Sequence, residues 1–484
     1  MFPTNEEFKK AVKEYISQEC STFSGCAIGQ TYGYPIGKWC TTGITDMSHL
    51  FAGIDVVNKV LFDEDISEWD VSLVLNMQHM FYYASSFNQP LNQWDVSSVS
   101  NFGNMFRGAS SFNRPLNDWD VSSATSLGFM FTQAASFDQP VNTWDVGSSV
   151  LNMQRMFSGA SSFNQPLNQW DVSSVSNFGA MFSGASSFNQ PLNDWDVSSA
   201  TSLGFMFSQA ASFDQPLNTW DVGMVDNMVG MFQEASSFNQ PLNGWNVGSA
   251  RYMSNMFRLA NSFNQPLNDW DVSSVTITRE MFCMASKFNQ PLSNWDVSSV
   301  LNFWDMFSEA STFNQPLNNW NVSSATHLVQ MFGGASSFNQ PLNDWDVSSS
   351  TTLYGMFWGA SSFDQPLNDW DVSSATQLGM MFSGASSFNQ PLSDWDVSSG
   401  TNFYGMFWGA SSFDQPLNDW DVSAAADMTN MFIGASSFNR NLCVWASTST
   451  TFPYGKASNM FTGTRCTNKA DPTSAAKGPL CADC

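Results

Sequence analysis

The side chains able to do chemistry in this chain are mostly carboxylates, indoles and thiols. Asp follows tryptophan in Trp-Asp-Val at 70, 95, 120, 145, 171, 196, 221, 271, 296, 346, 371, 396 and 421, with Asn246 and Asn321 standing in twice. If neighbouring copies stack at about 4.8 Å, their charges repel by about 1 kcal/mol even in water, so each needs donors or a cation. The Ser-Ser that usually follows can supply donors: an Asp accepting from it fixes the turn after the strand. Four successive copies double the charge, as Asp344/Asp346, Asp369/Asp371, Asp394/Asp396 and Asp419/Asp421, with no Lys or Arg between Lys287 and Arg440. A tryptophan stands between the members of each pair, so both face one side. Such a density of hard oxygen ligands suits weak calcium binding.

The residue after Met-Phe varies as a solvent-facing position does (Arg107, Ser158, Gln233, Ile433), yet it is Trp358 and Trp408 in two copies. Tyr354 and Tyr404 precede these by four residues, and Trp304 occupies the tyrosine position of another copy. Exposed rings two repeats apart would stand about 10 Å from each other. That is near the disaccharide step of an extended β-linked glycan, and such rings suit sugar stacking or a protein contact. Seven of the 8 cysteines cluster at the ends: Cys20, Cys26, Cys40, Cys443, Cys466, Cys481 and Cys484. They read as disulfide staples; irregular spacing and the lack of a nearby histidine speak against zinc. Cys283 occupies the variable position after Met-Phe, beyond reach of either cluster, which leaves it for a bond to another chain.

Catalysis finds little support. His49, His79 and His327 lie in different repeats, and no phosphate-binding glycine loop, paired Cys-x-x-Cys or nucleophile elbow is present. Residues 94–144 nearly duplicate 170–220, and 354–373 nearly duplicate 404–423. Duplication multiplies equivalent surfaces rather than building one unique pocket. The chain is expected not to be an enzyme.

What must position these groups is the repeat. Tryptophan recurs every 25 residues from Trp69 to Trp445, with one 26-residue step between Trp144 and Trp170, where a local kink is expected. A fixed period in the twenties with apolar residues in constant phase predicts a solenoid. Leu91, Trp94, Val96 and Val99 predict a short parallel strand, and Phe102, Met105, Phe106 and Ala109, spaced by three and four, predict a short helix. At about 1.5–3 kcal/mol per large apolar side chain buried, the Trp, Phe and Met positions form a core only when repeats stack. Thr4-x-x-Glu7 resembles a capping box, and Phe8, Val12, Tyr15 and Ile16 share a helical stripe, predicting a capping helix over about 5–18. The expected organisation is an N-terminal cap over 1–38, a solenoid over 39–445 and a cysteine-containing cap over 446–484.

The stretch Met-Phe-x-x-Ala-Ser-Ser-Phe-Asn-Gln-Pro-Leu-Asn-x-Trp-Asp-Val-Ser-Ser resembles the BspA-like leucine-rich-repeat surface proteins, closest to their 25/26-residue form in mycoplasma lipoproteins and microalgal proteins. The resemblance covers roughly residues 39–461. It implies a right-handed, leucine-rich-repeat-like α/β solenoid and a surface protein used for adhesion or recognition. Departures are Thr278 at an apolar position, Asn441 in place of the proline, and the extra residue before Trp170.

Composition narrows the partners. With 17 Lys+Arg against 42 Asp+Glu the net charge is −25, which argues against nucleic acid and anionic membranes. No apolar run reaches the length of a membrane span. Met1-Phe2-Pro3-Thr4 opens without an apolar leader, and the end-clustered cysteines imply a secreted chain whose signal has been removed. Asn321-Val322-Ser323 is the only glycosylation sequon. The expected function is a non-catalytic, extracellular or cell-surface scaffold binding protein or glycan, with no required cofactor. The alternative is a structural subunit assembling into a filament or coat.

Overall fold

The computed structural model describes residues 2–23, 25–54, 61–448, 452–475 and 477–484, which form two compact units, Met1–Trp245 and Asn246–Cys484. Within each unit the chain coils as a repeat solenoid whose successive 25-residue turns stack. Equivalent rings lie face to face along the stack: Trp119 and Trp144 are 6.4 Å apart at 7°, and Trp320 and Trp345 are 6.5 Å apart at 1°. Inside one turn Phe106 packs on Phe112 at 4.2 Å, and each meets its counterpart in the next turn. Such pairs contribute about 0.5–1.5 kcal/mol beyond the area they bury.

A buried indole needs an acceptor for its N–H. Trp119 Nε1 donates to the Leu91 carbonyl at 2.8 Å, and that carbonyl also accepts the backbone N–H of Trp94 at 3.1 Å. Both lone pairs of one oxygen are thereby used, and the arrangement repeats, as at Trp320 on Leu292 (2.9 Å) and Trp395 on Leu367 (2.8 Å).

The expected strand and helix are replaced by turns. Around Leu91–Val99, Trp94 N–H bonds Leu91 at 3.1 Å and Val99 N–H bonds Val96 at 2.9 Å, local bonds that compete with strand pairing. Parallel pairing appears instead as single bridges further on, such as Asn76↔Asn101↔Ser126 and Gln377↔Asn402↔Asp427. Over 102–109 the N–H groups alternate. Those of Phe102, Asn104, Phe106 and Gly108 reach carbonyls of the next turn at 3.0, 3.1, 2.9 and 2.7 Å, whereas those of Met105, Arg107 and Ala109 bond three residues back at 3.0, 3.2 and 3.0 Å. Left-handed residues at Asn104 (φ 58) and Gly108 (φ 73) make this alternation possible and exclude a helix. Stacked in successive turns, these alternating segments form a ladder.

The 26-residue step does not kink the stack. Trp144 and Trp170 remain 6.4 Å apart at 4°. The extra residue is taken up around Gly147 (φ 52), and among the described residues the bridge column resumes at Asn152↔Asn177 without a Ser126 partner for Asn152.

Helix α1, Asn5–Ser17, starts at Thr4, whose hydroxyl accepts the Glu7 N–H at 3.1 Å. It buries Phe8, Val12, Tyr15 and Ile16; Phe8 meets Trp69 at 5.3 Å and Tyr15 meets Trp39 at 5.4 Å. The side chain of Asn5 accepts the Thr45 N–H at 3.0 Å, and Lys9 bonds Asp46 and Ser48, each at 2.9 Å. A short α2, Ala27–Tyr32, follows. At the other end α3, Cys443–Thr448, carries Trp445 onto Trp420 at 6.5 Å, and the Asn441 side chain accepts the Cys443 N–H at 2.9 Å. The N–H groups of Met428, Asn430, Phe432 and Gly434 find the carbonyls of Lys456, Ser458, Met460 and Thr462 at 2.7–3.0 Å, so the tail closes the ladder.

Candidate binding face

The sequence motif Phe-Asn-Gln-Pro forms a second polar column, whose purpose the repeat pattern alone leaves unread. Asn88 Oδ1 accepts the backbone N–H of Asn113 at 3.0 Å; Asn113 Oδ1 accepts the Asp138 N–H at 3.0 Å and Gln139 Nε2 at 2.9 Å. The second unit has the same kind of column, in which Asn389 accepts from Asp414 N–H at 2.9 Å and Gln415 Nε2 at 3.0 Å. Only Asn or Asp stands at this position from Asp63 to Asn439, because only an acceptor at that reach serves. That restriction was the available signal.

The Trp-Asp-Val carboxylates bond within their own turn. Asp95 Oδ1 accepts the Ser97 N–H at 3.2 Å and its hydroxyl at 2.6 Å, and Asp171 does the same with Ser173 at 3.1 and 2.7 Å. These bonds hold Asp171, Asp196, Asp271, Asp371 and Asp396 below the usual carboxylate range. The neighbouring charge of Asp171 pushes Asp196 the other way and is outweighed by Ser198.

The paired aspartates take donors from their own and the preceding turn. Asp346 binds Ser348, and Asp344 is bonded by Asn343 Nδ2 at 2.8 Å and by Asn318 of the preceding turn. Asp371 and Asp396 bond Ser373 and Ser398, and Asp394 takes the Asn368 amide, so donors serve each. Asp369, Asp419 and Asp421 belong to the same columns. Among the described residues no group of three or more His, Cys, Asp or Glu side chains converges as a metal's ligand set.

Disulfides join Cys20–Cys26, Cys443–Cys484 and Cys466–Cys481, whereas Cys40 is a free, exposed thiol rather than a staple. Cys283 is also free, but it is buried at 6% exposure, not solvent-facing. Burial, with Asp305 and Glu280 nearby, pushes its thiol up to about 12, so it is neither placed nor poised to bond another chain. His49 and His79 stack at 4.6 Å and 11°, a neighbour relation hidden by the irregular spacing of the first turns.

The aromatic residues divide. Trp304, 37% exposed, lies under the Arg279 guanidinium at 4.8 Å; Arg279 bonds Glu280 at 2.9 Å, and Glu280 bonds Arg258 at 2.9 Å. Asp305 beside them is pushed up to about 6 by burial and by Glu280. Trp358 and Trp408, 37% and 40% exposed, have no ring, cation or hydrogen-bond partner for their side chains among the described residues. Their backbones are equivalent: each N–H bonds the glycine three residues back, Gly355 or Gly405, at 2.9 Å. Gly405 (φ 56) has a second reason to be glycine, since a Cβ there would lie 3.5 Å from the Trp408 ring and 2.8 Å from the Met380 sulfur. Tyr354 and Tyr404 are half-buried, and Tyr354 lies over Gly379, whose Cβ would stand 3.0 Å from its ring.

The ladder segments 328–334, 353–359, 378–384, 403–409 and 428–434 contain no Asp, Glu, Lys, Arg or His. The segments just before them carry Arg258, Arg279, Glu280, Asp305 and Glu309.

No curated protein matches the chain. Among solved structures, the crystal structure of a TLR13–ssRNA13 complex is similar at 10% identity and a TM-score of 0.22, over 78% of this chain and 54% of that one. No helix among the described residues is long and apolar enough to cross a membrane. The profile of the family described as "Mycoplasma protein of unknown function, DUF285" matches residues 18–144, 118–215, 195–293, 266–367 and 341–445. Five overlapping matches leave only the two ends uncovered, and the chain belongs to that repeat family.

Proposed function

We propose that this protein is a non-catalytic, extracellular or cell-surface scaffold that binds a protein or glycan ligand through its ladder face. In this reading the coil is right-handed and akin to leucine-rich-repeat solenoids, and the family tie extends to BspA-like surface proteins. The observation that carries it is the pair Trp358 and Trp408: equivalent positions two turns apart, each more than a third exposed. Elsewhere in the repeats, the tryptophans of the Trp-Asp-Val motif are core residues with bonded indoles. Large exposed rings without a structural task mark interaction surfaces. The three disulfides suit an oxidising compartment, in keeping with an extracellular site.

The test is to present the purified chain to arrays of extracellular proteins and glycans while its mass is followed by sedimentation velocity. Retention of a monomer supports the scaffold. The second reading, a self-assembling coat or filament, draws on the same exposed rings, and concentration-dependent polymers visible by electron microscopy would favour it.

A further inference from the structure

The uncharged stretch of ladder is unusual in a chain whose net charge is −25. Five successive turns keep Asp, Glu, Lys, Arg and His out of it, although four of those turns carry paired aspartates elsewhere. A surface of this kind has no attraction for ions and sets small residues between aromatic platforms. Two turns at about 4.8 Å place the anchor points of Trp358 and Trp408 about 10 Å apart along the stack. The phenylalanines just before them keep that direction, Phe357 to Phe382 at 5.7 Å and Phe382 to Phe407 at 5.6 Å. The turn between contributes only Gly379, Met380, Ser383 and Gly384 outside its core, so no large polar side chain interrupts the run.

We propose, resting on the scaffold reading, that this face binds a neutral, extended β-linked polysaccharide, with Trp358 and Trp408 stacking on sugar rings one disaccharide apart. The C–H faces of a pyranose are apolar and weakly positive, the complement of an indole face. The free indole N–H groups then meet sugar hydroxyls. An acidic polysaccharide is repelled by the protein's field, and a polymer parallel to the stack engages both rings at once, which raises affinity without deep burial.

The experiment uses the full chain in affinity gels containing hydroxyethyl cellulose, glycol chitin or, as an acidic control, polygalacturonate. Expected is retardation by at least one neutral polymer and none by polygalacturonate. Trp358→Ala and Trp408→Ala each weaken it about tenfold, the double variant abolishes it, and Trp304→Ala leaves it unchanged. Cooperative thermal melts of the variants establish that lost retardation is not lost folding. No retardation by any neutral β-linked glycan, or retardation surviving the double variant, overturns the assignment. If the chain ignores glycans yet holds an arrayed protein through the same two tryptophans, the glycan is wrong and the scaffold stands. If the chain binds neither and polymerises, with the double variant blocking assembly, both readings fall.

Discussion

The carboxylates after Trp and the Asn or Asp after Phe belong to the same turns but answer different partners. The first accept from serines two residues along, within their own turn, and remain exposed. The second accept from the backbone of the following turn and lie mostly half-buried. A charge fixed by the next turn points along the stack at its own counterpart, whereas one tied to its own turn faces water. The sequence follows this difference. After Phe, no two Asp stand in successive turns: Asp364 and Asp414 are separated by Asn389. After Trp, Asp runs unbroken from Asp70 to Asp221. Direction of the hydrogen bond, more than its strength, decides where charge is allowed.

Both columns hang on the ring stack, so the largest expected effect comes from removing part of it. Trp320→Ala, at a site 2% exposed with stacked rings on either side, should cost about 3–5 kcal/mol. Chemical denaturation, with both columns' turns lost together, would show it. Asn113→Ala leaves the Asp138 N–H and Gln139 Nε2 without their half-buried acceptor and should cost about 1–3 kcal/mol, against about 0.5 for Asp371→Ala, whose serine donors reach water. The sharpest comparison makes one change in each column. Asn389→Asp sets three carboxylates in a row and should destabilise by about 1–3 kcal/mol, relieved by salt. Asn321→Asp, equally flanked by Asp296 and Asp346, should stay within about 0.5 kcal/mol. Equal costs at the two sites would remove the distinction.

Acid provides a smaller test. Asp171, Asp196, Asp271, Asp371 and Asp396 titrate lower in the fold than in the unfolded chain, which therefore binds more protons at low pH. Their contribution is present above about pH 4 and is lost as pH falls further, so melting temperature should drop there. Asp305 has the opposite sign. Its folded value of about 6 lies above the ordinary one, so stability declines as pH climbs towards 6, and Asp305→Asn should flatten that limb. Smallest is a labelling result: with disulfides intact, Cys40 reacts with an alkylating reagent at once and Cys283 only after unfolding.

The core was legible because its period is rigid: one phase fixes the Trp, Phe and Met of the core, and the stacking follows from it. The local backbone was not. Spacings of three and four at Phe102–Ala109 mimic a helix, but Asn104, Phe129, Gln133 and Gln209 take left-handed φ values of 58–62 that such residues seldom show. Frequent glycine at the position of Gly108 was a faint sign of that geometry. The exposed tryptophans were legible as departures from a variable column, whereas the Arg279 platform over Trp304 needed coordinates, since nothing in spacing says which neighbour leans across. Cys283 misled for the converse reason: a variable position need not be an open one.

Within a unit, each turn offers its successor the same row of donors that its predecessor offered it. The joint between turns therefore has no address. A turn copied in frame by replication slippage fits between any two others, and the tail carbonyls at Lys456, Ser458, Met460 and Thr462 terminate a row of any count. Length is free to vary without renegotiating the fold, and selection can treat it as reach.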